Sequence, residues 1–199
     1  MQMKSTRRPN VERTADMRAR LMAAARALFV AEGYAAASTP SIVAAAGVTR
    51  GALYHHFSDK QAIFQAVLLA EAEAVGTAIA ASERPGMSAR DSLIAGAGAY
   101  LAAMAVPGRV RLLLIDGPAV LGREALQAME RAHGEAALRE GLQAALAEAG
   151  RIDVPVEPLA ILLSALFERA AMAVEDGMAP DALMNAVSFV IGGLFPHSD

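Results

Sequence analysis

Ser38 to Lys60, STPSIVAAAGVTRGALYHHFSDK, reads as a helix-turn-helix followed by the opening turn of a long helix, and the rest of the chain is organised around it. Thr39 is a residue that caps helix N-termini, and Pro40 behind it fits the first helical position, where a missing N–H costs nothing. Ile42 and Ala45 are the expected inward positions of this short helix. Gly47 then stands where the chain must take a positive φ to reverse, and Val48 is an apolar plug for the corner. Thr49 is the expected cap of a second helix. Its 3.6-residue period exposes Arg50, Gly51, Tyr54 and His55 and buries Leu53 and Phe57.

The exposed set is chemically coherent. Threonine hydroxyls and free N–H groups at helix starts, a tyrosine hydroxyl and the Lys60 amine are groups that hold phosphate oxygens. Arg50, beside a residue with no Cβ, can lie against a backbone or reach a base edge. A helix-turn-helix sends the N-terminal residues of its second helix into the major groove, so Thr49, Arg50, Gly51 and Ala52 would touch DNA first.

Thr39, the Ala-Ala-Gly-Val-Thr of residues 45–49, Gly51, the Leu-Tyr-His-His-Phe of 53–57 and Lys60 together resemble the DNA-binding domain of TetR-type transcriptional regulators. The resemblance covers about the first third of the chain, and the remainder fits in length and helical character only. It implies an all-α protein, with an N-terminal three-helix DNA-binding domain and a C-terminal helical domain for ligand binding and dimerisation. It further implies phosphate contact for Thr39, Thr49, Tyr54 and Lys60, and groove contact for Arg50, Gly51 and His55. Pro40 departs from the charged or polar residue more usual there, so no contact is carried over to it. Against this stands the plain reading that a glycine-containing αα corner is common in helical proteins and binds DNA only occasionally. The combination of two caps, a turn glycine, apolar plugs and polar donors on one side favours DNA.

Charge points the same way. Residues 1–60 hold nine basic against four acidic side chains, a net of +5, while the remaining nine against seventeen leave −8, for a total of −3. A basic head on an acidic body suits a protein that meets a polyanion at one end. Residues 1–13 read as a basic arm; one reading has Arg7 and Arg8 reaching phosphate or the minor groove, the other is a plain disordered tail. Helix one is expected from Thr14 to about Ala31, ended by Gly33, with Met17, Leu21, Ala24, Ala25, Leu28 and Phe29 as one apolar stripe that braces the motif. The DNA-binding domain is thus expected over 14–60 and the helical body over 61–199.

A hydrophobic share of 55% is ample for a core, and an aromatic share of 5% with abundant alanine suits packed helices. With no cysteine there is no disulfide, thiolate metal site or thiol nucleophile. No apolar signal segment opens the chain, and the runs Ser92–Gly108 and Ala182–Ser198 are short and broken by glycine or proline. The expectation is a cytoplasmic protein without a membrane partner. Phosphate loops, HExxH and nucleophile-elbow motifs are missing and no cofactor is expected, so an enzyme reading fares poorly; adjacent His55 and His56 point apart on a helix and make no chelate.

Ser58, with Gln61 three residues on, predicts the cap of a connecting helix to about Ala81, the natural lever between head and body. Further helices are expected near 89–105, 109–115, 118–149 (with Gly122 as an interruption), 156–176 and 180–195. The last two have almost no polar face. Leu162, Leu163, Leu166, Phe167, Val187, Val190, Ile191 and Leu194 are therefore expected at a subunit interface, as the resemblance also implies through a four-helix bundle in a homodimer. Gly96 and Gly98 leave room beside Tyr100 and Met104, and His133 falls in register with Leu126 and Met129. Tyr100, Met104 and His133 are the candidate ligand contacts, against the plainer reading of each as core filler. Asp116 reads as a cap for the helix beginning at Pro118. Glu168 and Arg169 read as a pair across the dimer or as groups facing a cavity. The function expected is a sequence-specific transcriptional regulator, a repressor released from a palindromic operator by a small apolar ligand. The alternative is an effector-independent or activating protein of the same fold.

Overall fold

The structure, a computed structural model, describes residues 10–122 and 135–195 and contains helices and no strands among them. Residues 1–9 of the expected arm, and His133 with Leu126 and Met129, lie outside the described residues. Packing divides the chain into two compact units, Met1–Leu68 and Leu69–Asp199.

In the first unit, α1 spans Asn10–Ala36, α2 Thr39–Ala46, α3 Arg50–His56, and α4, Lys60–Ala80, begins here. Gly33 ends the regular part of α1: its φ of 83° and ψ of 162° break the helix, and one further turn carries the chain to Ala36. Leu21, Ala25 and Phe29, four residues apart on α1, are fully buried with Ile42, Leu53, Ile63, Phe64 and Leu68. The Phe64 ring meets Phe29 edge-on at 5.0 Å and Tyr34 at 4.8 Å, so the unit's core takes in the first turns of α4. That physical reason carries the first unit past residue 60.

Three sequence registers shift by one residue. Ser38, not Thr39, caps α2, its Oγ accepting from the Ser41 N–H at 3.2 Å, which puts Pro40 at the second helical position. Ala46, not Ala45, is the inward partner of Ile42. Asp59, not Ser58, caps α4, its Oδ1 accepting from the Ala62 N–H at 2.7 Å; the carboxylate is the stronger acceptor, and Ser58 turns its own hydroxyl onto it.

The second unit holds the rest of α4 and α5 (Ala89–Met104), a π-helical segment (Arg111–Asp116), α6 (Gly117–Leu121), α7 (Glu135–Glu148), α8 (Val156–Glu175) and α9 (Pro180–Leu194). The expected 109–115 helix is thus wound as a π-helix from Arg111 onward, with the Gly117 N–H reaching back five residues to Leu112 O. Pro118 next in line has no N–H to continue the ladder. Gly122, at φ 81°, interrupts the helix expected over 118–149. Leu93, Ala97, Leu142, Leu146, Leu163, Val187 and Ile191 make one core, and Val75, Leu101, Met104, Val110 and Ala171 another. Inside it Arg109 Nε donates to Glu71 Oε2 at 2.7 Å and Nη1 donates to Ala103 O at 2.7 Å, so a buried ion pair is also hydrogen-bonded to the backbone.

Of the described helices, α4 has the length and hydropathy to cross a membrane, although no uncharged run marks it because Glu71 and Glu73 interrupt the pattern. Its Ile63, Phe64 and Leu68 are spent in the first core and its Val75 in the second.

Candidate nucleic-acid interface

The turn between α2 and α3 is rigid for identifiable reasons. Gly47 sits at φ 60° and ψ 42°; its N–H bonds Ala44 O at 3.1 Å, and the Val48 N–H bonds Val43 O at 3.1 Å. This pair of bonds satisfies carbonyls that a helix end otherwise leaves open. Two further carbonyls go to Arg20 of α1, whose Nη2 donates to Ala46 O at 2.7 Å and Gly47 O at 3.3 Å. A Cβ on Gly47 would approach the same nitrogen at 3.4 Å, so glycine here serves both the turn and the clamp. Thr49 Oγ1 then caps α3 by accepting from the Ala52 N–H at 3.2 Å.

The expected division of α3 is present. Leu53 and Phe57 are buried, while Arg50, Gly51, Tyr54 (43% exposed) and His55 face outward. Thr39, Arg50 and Tyr54 converge at one place. The Arg50 guanidinium lies 5.5 Å from the Tyr54 ring centroid. That guanidinium, and after it the Thr39 hydroxyl, hydrogen-bond the Tyr54 phenol and hold its pKa below the usual value. The nearest atom to a Cβ on Gly51 would be Thr49 Oγ1 at 4.0 Å, so nothing within the protein requires glycine there.

Lys60 is placed differently from a free phosphate contact. Its Nζ donates to Tyr34 O at 2.7 Å, Ala37 O at 2.9 Å and Ala35 O at 3.4 Å, and it stands 4.3 Å from the Tyr34 ring centroid. The ammonium, with three donors, closes the carbonyl end of α1. Arg18 lies over the Phe57 ring at 5.1 Å. Part of the head's basic excess is therefore consumed in holding the motif together, which composition cannot reveal.

Of the expected interface residues, Leu163, Val187 and Ile191 are buried in the core of their own unit, which corrects that assignment. Leu162 is 68% exposed, Val190 is exposed, and Leu166, Phe167 and Leu194 are half-buried against the core. Ile161 and Phe189 (83% exposed) are further exposed apolar residues of α8 and α9. On helices apolar all round, periodicity carries no phase to separate inner from outer positions. Around the candidate ligand contacts, Met104 is buried and the Tyr100 ring stands 6.0 Å from Phe167. Gly96 and Gly98 do not leave open room: a Cβ on Gly98 would meet Met184 Sδ at 3.6 Å, and one on Gly96 would meet Ile79 at 3.6 Å. Asp116 makes no capping bond and instead lies 3.3 Å from Arg111 Nε. Glu168 is half-buried, and desolvation raises its pKa.

Residues 21–67 match the family described as bacterial regulatory proteins, tetR family, and residues 90–195 match the tetracyclin repressor-like C-terminal domain. Over 56 residues the chain is 39% identical to the HTH-type transcriptional regulator UidR of Escherichia coli (strain K12), a match spanning 28% of this chain and 29% of that regulator's length. A solved structure from Pseudomonas aeruginosa PAO1 superposes with a TM-score of 0.80 at 26% identity, covering 94% of this chain and 92% of that one. The TetR-like regulator LfrR from Mycobacterium smegmatis, solved in complex with proflavine, superposes with a TM-score of 0.64 at 20% identity over 92% of this chain and 96% of that one, a likeness of fold alone. The chain belongs to the TetR family, whose members are DNA-binding transcriptional regulators and not enzymes.

Proposed function

We propose that this protein is a homodimeric repressor that occupies a palindromic operator and leaves it when a small apolar molecule enters the second unit. The observation that carries the DNA half is the convergence of Thr39, Arg50 and Tyr54 beside a capped α3 whose turn is clamped from α1. In this reading Thr39, Thr49 and Tyr54 meet phosphates and Arg50, Gly51 and His55 face base edges. Lys60 serves chiefly by fixing the end of α1, so its contribution is to placement.

The dimer half is supported by the exposed Ile161, Leu162, Phe189 and Val190 on α8 and α9, an apolar face that a monomer would leave in water. A two-fold dimer sets its heads on half-sites roughly 34–36 Å apart or a multiple of that. The ligand half is supported by LfrR, a relative in fold that has been solved with proflavine bound, and by the half-buried Tyr100 phenol beside Met104 as a polar anchor in an apolar core. Residues of α4, Lys60–Ala80, belong to both units, and in this reading the helix is the lever through which the ligand acts on the head. The regulator works in the cytoplasm, where its DNA is.

The test is a pair of titrations. A compound that releases DNA must bind the DNA-free state better, and operator DNA must then weaken that compound by the same factor. A panel of planar aromatic and other apolar compounds, none of which alters DNA affinity, would leave the effector-independent reading in its place.

A further inference from the structure

At about 100° per residue, Gly51 and His55 share the central stripe of α3, Arg50 and Tyr54 the stripe toward Thr39, and Ala52 and His56 the stripe on the opposite flank. That opposite flank meets α1 in an open depression lined by Arg13, Thr14, Met17, Ala52, His55 and His56. The two imidazoles stand edge to face at its rim, 5.2 Å between centroids. Among the described residues that line it there is no acid; Asp16, exposed on α1 one position before Met17, lies off the lining. The other arginines of α1 are engaged, Arg18 over Phe57, Arg20 on the carbonyls of α2, and Arg26 within its own contacts. Arg13 is exposed and has no ion-pair partner among the described residues.

A helix with its side chains is about 10–12 Å across and the major groove about 12 Å wide, so a helix lying in it meets a phosphate backbone on each flank. The Thr39–Tyr54 flank supplies donors for one strand. We propose that the depression between α1 and α3 seats a phosphodiester of the other strand, with the Arg13 guanidinium and the His56 ring N–H as donors and Thr14 in the lining. Met17 and Ala52 supply an apolar floor for the adjoining sugar. The site reads no sequence; it fixes how deep and at what angle α3 enters, complementing the contacts of Tyr54 across the groove. This rests on the DNA-binding reading above and extends it to α1.

The experiment measures binding of the full-length chain to two labelled duplexes by fluorescence anisotropy: the tightest recovered from a random pool, and one of arbitrary sequence. Arg13→Ala should weaken both alike and make the salt dependence shallower by about 0.9 in log–log slope. The ratio of wild-type to variant affinity then shrinks about 3.5-fold for each fourfold rise in salt. Thr14→Glu, which sets a carboxylate in the seat, should cost more than Arg13→Ala, while His56→Ala should weaken both duplexes with the base preference intact. An unchanged slope for Arg13→Ala, or a changed preference at a single base pair, overturns the proposal while leaving the DNA-binding reading standing. A wild-type protein that binds neither duplex overturns both.

Discussion

Lys60→Met separates a structural role for this lysine from a phosphate contact. Methionine keeps an unbranched apolar stem beside Tyr34 and removes the ammonium, so three carbonyls at the end of α1 lose their shared donor. Two of the bonds, at 2.7 and 2.9 Å, are short and charge-assisted, and the third, at 3.4 Å, is marginal. Hydrogen bonds to a charged group contribute about 1.5–3 kcal/mol when sheltered. Lys60 is only half-buried and water partly replaces it, so a loss of about 2 kcal/mol for the first unit is the expected magnitude. For a unit of this size that is roughly 8–16 °C in its thermal transition. The assay is melting by circular dichroism, paired with DNA affinity against salt at a temperature where the variant stays folded. The expected result is a lowered transition with an unchanged salt slope. A slope that falls by about one, with the transition unmoved, would make Lys60 a phosphate ligand and refute the structural role.

Gly51→Ala should raise the stability of the head by about 0.5–1 kcal/mol, because alanine is the better helix former and its Cβ finds only Thr49 Oγ1 at 4.0 Å, yet should weaken DNA binding by holding α3 off the groove. Stability and affinity that rise together would show that no close approach occurs at Gly51. Phe189→Glu, on an open face, should leave folding intact and turn the dimer into a monomer on size-exclusion chromatography, whereas Leu163→Glu buries an unpaired charge in the core and should unfold the second unit. A dimeric Phe189→Glu would move the interface elsewhere. Glu168, whose carboxyl is pushed up by desolvation, destabilises the fold once ionised: the penalty grows as pH rises from the unshifted value of 4.5 through the raised one. Glu168→Gln should therefore melt higher than wild type at neutral pH, and the gain should vanish below pH 4.5; an equal gain at both ends would point to a cause other than ionisation.

The helix-turn-helix was legible because its decisive features are local. A positive φ at Gly47, a threonine cap at position 49 and a 3.6-residue stripe over 53–57 are each written within a few residues. The one-residue shifts at Ser38, Ala46 and Asp59 occurred where a neighbouring residue could do the same job, as in Ser-Thr-Pro-Ser and Ser-Asp-Lys; at Asp59 the stronger carboxylate acceptor takes the cap. The roles of Arg20 and Lys60 were not legible, since their acceptors lie 23–27 residues away along the chain and are backbone carbonyls, which no side-chain pattern marks. In the second unit, glycine and proline fixed where the helices end, but α8 and α9 offer apolar residues on every side. Leu163 inside and Leu162 outside are the same residue type, and only the neighbouring helices distinguish them.

That the exposed face of α3 reads a DNA sequence is tested most directly by selection of bound fragments from a random duplex pool, run in parallel for wild type and Arg50→Ala. The expected result is one enriched, two-fold symmetric sequence for the wild type, and for Arg50→Ala the same sequence with preference relaxed at one position in each half-site, at a cost of about 1–3 kcal/mol there. Recovery of no common sequence by the wild type, or an identical preference from both proteins, would contradict it.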